Sequence, residues 1–236
     1  MVLLGIDTSA KAASVAICDE TQLLAEAMVN TKLTHSQTIM PMVQSMLENA
    51  HIALNQVDAF AVSAGPGSFT GLRIGIAAVK GMAMALNKPC VAVSTLEALA
   101  YNLRGFEGII CAVMDARCNQ VYTASFRAHS GAVERLTEDS ALPIEELIRQ
   151  LTQFQEPVFF VGDGAGLCYN NKNVCLFDAR LAPEHMVNQS AASVCRLALE
   201  RMKAEPLAAV GAEAISPVYL RLPQAERELR QKQAAL

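Results

Sequence analysis

The sequence predicts an α/β fold built as two small modules in tandem, and three observations carry that prediction. Apolar, β-compatible runs separated by short polar turns open the chain; helix-period runs then alternate with single strands; and the same order starts again beyond Arg104-Gly105. Composition agrees. With 52% hydrophobic and 18% charged residues the chain lies far from sequences that stay disordered. Its 236 residues suit one large domain or two small ones, at roughly 100–200 residues per domain.

Val2–Ile6, Ser14–Cys18 and Leu23–Val29 form an opening β-meander. From His35 to Ala50 the apolar residues Ile39, Met42, Val43, Met46 and Leu47 recur three and four apart, which marks one helix face, with Thr34 placed to cap it. Val57–Ser63 reads as a buried strand. The turn Gly65-Pro-Gly-Ser-Phe-Thr-Gly71 launches a helix to Leu86, capped by Ser68 and closed by Asn87-Lys-Pro89. Cys90–Val93 is a short strand, and Ser94-Thr-Leu-Glu97 has the S-x-x-E form of a capping box for a helix to Leu103. In the second half Ile109–Met114, Gln120–Phe126 and Val158–Val161 are strands. Pro143 starts a helix with Glu145 and Glu146 in its first turn, and Asn188–Lys203 is a further helix. Pro217–Arg221 leads into a polar, charged helix that ends the chain.

The net charge of −4 distributes as −2 over residues 1–100, −4 over 101–195 and +2 over 196–236. A basic face for autonomous RNA binding is missing; only the tail, with Arg227, Arg230 and Lys232, leans that way. Residues 1–100 hold just 12 charged side chains, where a quarter of residues is typical. That is too few to coat a free surface, so a partner is expected to cover part of this segment. No run of 18 uninterrupted apolar residues occurs, since Lys80 cuts the richest stretch, Ile74–Leu86, and Asp7 stands where a secretory leader would be apolar. The expectation is a cytoplasmic protein with no membrane span. Seven cysteines, an odd number without a C-x-x-C, read as reduced, buried small hydrophobes.

Two segments carry chemical potential. Asp7-Thr8-Ser9, at the tip of a hairpin, either presents an acid and hydroxyls to a metal or phosphate or closes on itself as an Asx-type turn. Gly65–Gly75 (GPGSFTGLRIG) lacks the G-K-[ST] of a Walker A loop and fails both G-x-S-x-G and G-x-G-x-x-G. It remains either an anion-binding helix N-terminus or a strand-to-helix turn whose glycines permit close packing. His35, His51, His129 and His185 show no H-x-x-x-H or H-E-x-x-H spacing, and Glu145 and Glu146 point apart on a helix start, so neither set forms a metal or acid/base site. Met40, Met42, Met46, Met82 and Met84 form a methionine-rich surface divided between core and interface readings.

Taken together, Leu4-Gly-Ile-Asp-Thr-Ser9, Ser14-Val-Ala-Ile17, Thr34-His-Ser36, Gly65–Gly75, Ser94-Thr-Leu96, Asp115-Ala-Arg117, Val121-Tyr122 and Pro217–Arg221 resemble the bacterial TsaB (YeaZ) family across nearly the whole chain. The resemblance implies two ribonuclease-H-like domains of the actin-like/Hsp70/sugar-kinase (ASKHA) type. On it we place domains at 1–104 and 105–210, with 211–236 returning to the first. It further implies a non-catalytic subunit that pairs with and activates a catalytic paralogue, TsaD, in making threonylcarbamoyladenosine beside the tRNA anticodon. A small ATPase, TsaE, joins the complex, tRNA is met only through it, and the isolated chain forms a homodimer. Where the paralogue carries H-x-x-x-H, this chain has His35 and Ile39, so no metal or other cofactor is expected.

The pairing surface is expected on Ile39, Met42, Val43 and Met46 of one helix and Leu72, Gly75, Ile76, Val79 and Met82 of the next. The competing reading is a nucleotide-dependent ATPase or phosphotransferase, with a vestigial nucleotide site at Asp7, Thr8, Ser9, Gly162 and Gly164. A peptidase reading lacks a Ser/His/Asp set.

Overall fold

The structure, a computed structural model, describes residues 1–221. The first sheet holds β1 (Val2–Asp7), β2 (Ala13–Asp19), β3 (Leu23–Val29), β4 (Ala59–Gly65) and β5 (Cys90–Ser94) in the order β3-β2-β1-β4-β5. β1 to β3 form the antiparallel meander, while β4 and β5 run parallel to β1. Every residue of β4 is buried, because both faces of the sheet are covered. Coverage on both sides is why these strands read as unbroken apolar runs rather than alternating ones.

One cover is the helix pair α1 (His35–Asn49) and α2 (Phe69–Leu86). Gln37 Oε1 accepts the Thr34 N–H at the start of α1, and Ser68 Oγ accepts the Gly71 N–H at the start of α2. The stripe assigned above to a partner turns inward: Ile39, Met42, Val43, Met46, Leu72, Gly75, Ile76, Val79 and Met82 are all buried, seven of them in one apolar cluster with Leu4, Ile6, Val15, Phe60 and Val62 of the sheet. This corrects the expectation. The most apolar face of each helix meets the apolar face of the chain's own sheet. α2 has a mean hydropathy of 1.4, long and apolar enough to cross a membrane by those measures, yet its inner face is core.

The second sheet holds β6 (Gly108–Asp115), β7 (Gln120–His129), β8 (Ala132–Arg135), β9 (Ser140–Pro143), β10 (Val158–Val161) and β11 (Ala179–Leu181), ordered β11-β10-β6-β7-β8 with β9 on the far part of β7. α3 (Thr95–Tyr101) covers one face through Leu96, Leu99 and Ala100; α4 (Ile144–Leu151) and α5 (Ala165–Tyr169) cover the other. Finally α6 (Ala191–Ala204) returns to the first sheet, where Ala191, Val194, Cys195 and Ala198 pack on Leu3, Ala16 and Ala61. The helices therefore do not respect a cut at 104. α3 precedes it yet packs Leu96, Leu99 and Ala100 on the second sheet while its Ala98 and Tyr101 stay with the first, and α6 follows it yet lies on the first.

Glu97 of α3 ties these parts together: it pairs with Arg201 of α6 and with Arg135 of β8, which also holds Asp139 at 2.6 Å. Ser94 caps α3 as expected, but Glu97 is drawn to these guanidiniums instead of completing the box. After α6, Val210 bridges Cys90, and Ala212 and Ile215 join the core under α2. The basic tail expected at Gln224–Lys232 lies outside the described residues.

Candidate functional site

A cleft of about 350 Å³ opens between the two modules. The first contributes Ser9, Lys11 and the start of α2, the second Asp115, Arg117, Tyr122 and Asp163. Its floor is the turn after β1. Here the hydrogen-bonded turn prevails over the presented acid. Asp7 Oδ1 accepts from the Ser9 N–H at 2.9 Å and the Ser9 hydroxyl at 2.6 Å, Oδ2 accepts from the Ser63 hydroxyl at 2.5 Å, and Thr8 Oγ1 donates to Gly71 O at 2.8 Å. Asp7, Thr8 and Ser9 are at most 1% exposed, so all three side chains bind the protein rather than the cleft. Burial pushes the Asp7 carboxyl above the usual range, against the Ser63 and Ser9 donors that pull it down.

The Gly65–Gly75 segment is moulded onto this turn. The Ser68 N–H donates to Ser9 O at 2.7 Å, and a methyl on Gly67 would lie 2.5 Å from that same oxygen. Methyls on Gly71 and Gly75 would strike the backbone oxygen and hydroxyl of Thr8. Close packing, one of the two readings of the motif, is thus what these glycines do. Gly162, at φ +107°, and Gly164 have the same task on the far side, pressed against Val113 and Met114 of β6. All five residues offered as a vestigial nucleotide site are engaged in packing the protein itself.

Asp163 accepts the Asp115 N–H at 3.1 Å, and burial raises its carboxyl further than that donor lowers it. Asp115 in turn holds Arg117. His35 Nε2 lies 2.7 Å from Ala10 O while Ser9 bonds Asp7 directly, so no histidine stands between serine and acid. Among the described residues no three His, Cys, Asp or Glu side chains converge on one point. Glu146 bonds Arg149 and Gln150 on its own helix, away from the cleft. Five cysteines are buried as expected, with Cys111 pushed up to about 12 by burial, whereas Cys118 and Cys175 are exposed.

Sequence reasoning missed the element that closes the cleft. Residues 217–221 cross it as a strap: the Val218 N–H donates to Ala64 O at 2.7 Å, and Tyr219 stacks on Phe69 with ring centroids 4.6 Å apart. Arg73 sits 3.8 Å over the Phe69 ring and donates to the Tyr219 hydroxyl at 2.9 Å. Arg221 then reaches the second module, donating to Ala116 O and Arg117 O. The turn it grips, Arg117-Cys118-Asn119, has three successive positive φ angles of 65°, 54° and 56°. No glycine marks that turn, and Asn119 is its one sequence signal. Gly65, at φ +129°, leaves room for the strap, since a side chain there would meet Val218 O.

The family model for TsaD, tRNA N6-adenosine threonylcarbamoyltransferase, matches residues 23–229. The TsaB protein of Bacillus subtilis, a tRNA threonylcarbamoyladenosine biosynthesis protein, is 36% identical over 167 residues, which is 71% of this chain and 73% of that one. Its Escherichia coli counterpart is 34% identical, covering 65% and 67%. The solved structure of YeaZ from Pseudomonas aeruginosa superposes with a TM-score of 0.79 at 32% identity, covering 93% of this chain and 99% of that one.

Proposed function

Since the chain belongs to the TsaB family, we propose that it acts in tRNA threonylcarbamoyladenosine synthesis as the non-catalytic partner of a TsaD-type threonylcarbamoyltransferase. The observation that carries this reading is the outer face of α1 and α2. Met40 and Met84 project from it at 45% and 67% exposure, and the exposed positions of α2 between Arg73 and Asn87 are Ala77, Gly81, Met84 and Ala85. Small and thioether side chains let a second helix pair approach closely and adapt to more than one partner. The pairing surface is therefore the outer stripe of the same two helices whose inner stripe is core. A homodimer through that stripe would compete with the paralogue for one surface.

The cleft supports a silent subunit. The Thr8 and Ser9 hydroxyls and the buried Asp7 carboxyl are bonded within the protein, and the strap crosses its mouth. In the cytoplasm a TsaE-type ATPase would join the pair, and tRNA would be met through the complex.

The test is reconstitution. Gly81→Arg and Met84→Glu should leave the circular dichroism spectrum unchanged, abolish co-sedimentation with TsaD, and reduce tRNA modification by the TsaD–TsaE mixture to the level without this chain. Full complex formation by both variants would overturn the assignment of the surface. Modification of tRNA by this chain alone would overturn the non-catalytic role.

A further inference from the structure

We propose that the free edge of β3, with the groove beside it, is a docking site for an extended acidic segment of a partner protein, bound by strand addition. β3 ends the first sheet, so one side of its backbone ladder is unpaired. Leu23, Glu26 and Met28 pair with Cys18, Ala16 and Ser14 of β2, and Cys18 and Ala16 lie in the apolar cluster beneath α6. The three β3 residues therefore share the α6 face. α6 is seated over β1 and β2, and beyond it Leu23 and Met28 stand 45% and 49% exposed. They form one wall of a groove of about 630 Å³, with Tyr101–Arg104 and the residues before α6 as the other.

Edge strands are ordinarily protected by outward charges, proline or a bulge. β3 has a bulge opposite Ile17 and Cys18, but its run from Ala25 to Val29 pairs regularly. Its single charge is exposed but tied to the start of α6: Glu26 Oε1 accepts from the Ser190 hydroxyl at 2.7 Å and the Ala192 N–H at 3.2 Å. Besides Glu26 the groove is lined by two cations, Arg104 and Arg196. Arg104 donates to the Tyr101 hydroxyl and Arg196 to Asp19 O, and neither meets a carboxylate among the described residues.

Gln189 lines the same groove at 2% exposure, with neither its amide nitrogen nor its oxygen partnered. Free ladder groups, an apolar wall and unpaired guanidiniums favour an extended segment that alternates apolar and acidic residues along one face. A second copy of this chain is the poorer fit, since pairing two β3 edges would bring like-charged grooves together. The site lies on the face of the sheet opposite α1 and α2, so it does not depend on the pairing proposed above.

The probe is a fluorescein-labelled eight-residue peptide with valine and aspartate alternating on one strand face and threonine on the other. Its anisotropy should rise saturably with the full-length protein and weaken with added salt. Met28→Lys and Arg104→Ala, checked for folding by circular dichroism, should each weaken binding at least about tenfold. Absence of binding, or equal binding of a peptide with lysine for aspartate, would overturn the proposal. So would a homodimer that Met28→Lys dissociates in sedimentation, because a second copy would then occupy the edge.

Discussion

Gly5 lies in the middle of β1 directly beneath α6, and its replacement by alanine tests how closely helix and sheet approach. The added methyl would sit 2.5 Å from Cys195 Sγ and 2.9 Å from Ala191 O. Ordinary contact begins near 3.4 Å, so α6 must lift by several tenths of an ångström along a cluster that includes Val194, Ala198 and Leu3, all fully buried. Overpacking of this kind costs about 1–3 kcal/mol. Contacts this short belong to the upper part of that range, about 2–3 kcal/mol; relief of the glycine's backbone entropy returns about 0.5–1 kcal/mol, leaving a loss of about 1–2.5 kcal/mol. Cys195→Ala alone removes one buried sulfur and should cost about 1 kcal/mol. The double variant should be less destabilised than the two changes added, by about 1 kcal/mol, since the methyl enters the space the sulfur leaves; independent sites would add within about 0.3–0.5 kcal/mol. Rescue stays partial because Ala191 O remains. Urea unfolding followed by circular dichroism, with equal m-values across the cycle, measures all four proteins. Gly81→Ala serves as control, since nothing lies within 4 Å of a methyl there, and it should gain about 0.5–1 kcal/mol. Strict additivity, or a Gly5→Ala protein as stable as the parent, would refute the close approach of α6 to β1.

Two further outcomes follow from burial. Val43→Asp and Ile76→Asp should unfold the monomer rather than merely dissociate a dimer: each loses about 1.5–3 kcal/mol of apolar burial and adds several kcal/mol for an unpaired carboxylate. A folded, monomeric Val43→Asp by circular dichroism and sedimentation would return that stripe to an interface. Asp7, whose carboxyl is raised in the folded state, adds stability below the ordinary carboxylate range and loses it as pH rises through the folded pKa. Asp7→Asn should therefore gain on the parent as pH rises from the ordinary carboxylate range through the folded pKa, whereas Asp7→Ala leaves the Ser9 and Ser63 donors without their acceptor and loses about 1–3 kcal/mol. A flat difference between Asn and Asp across that range would show that burial does not dominate at this carboxyl.

Strands and helices with strong periodicity were legible: β1 to β6, α1, α2, α3 and α6 stand within a few residues of where apolar spacing and capping residues put them. β8, β9 and β11 are three or four residues long and half exposed, so their patterns are too short to register. Periodicity located the helix stripe at 39–46 and 72–82 but could not say what it faces, since core and interface present the same apolar pattern. The scarcity of charge in residues 1–100 is satisfied mainly by a sheet covered on both sides. Gly5 belonged to the N-terminal motif without a role, for a close approach between elements 190 residues apart leaves no local trace. The strap was equally hidden, because Tyr219 and Arg221 acquire meaning only beside Phe69 and Ala116.

The exchange of α3 and α6 between the sheets has a consequence for how the molecule comes apart. A fragment ending near residue 104 would keep all five strands of the first sheet but lack α6, baring Leu3, Ala16 and Ala61, and it would leave Leu96, Leu99 and Ala100 of α3 without the second sheet they pack on. Neither half can exist as an independent foldon, so thermal unfolding should be a single cooperative transition despite the two sheets, with amide protons of β1 and β6 exchanging through the same global opening. Synthesis from the ribosome meets the same constraint: the first sheet waits, with one face open, until residue 204 has emerged and α6 can close it.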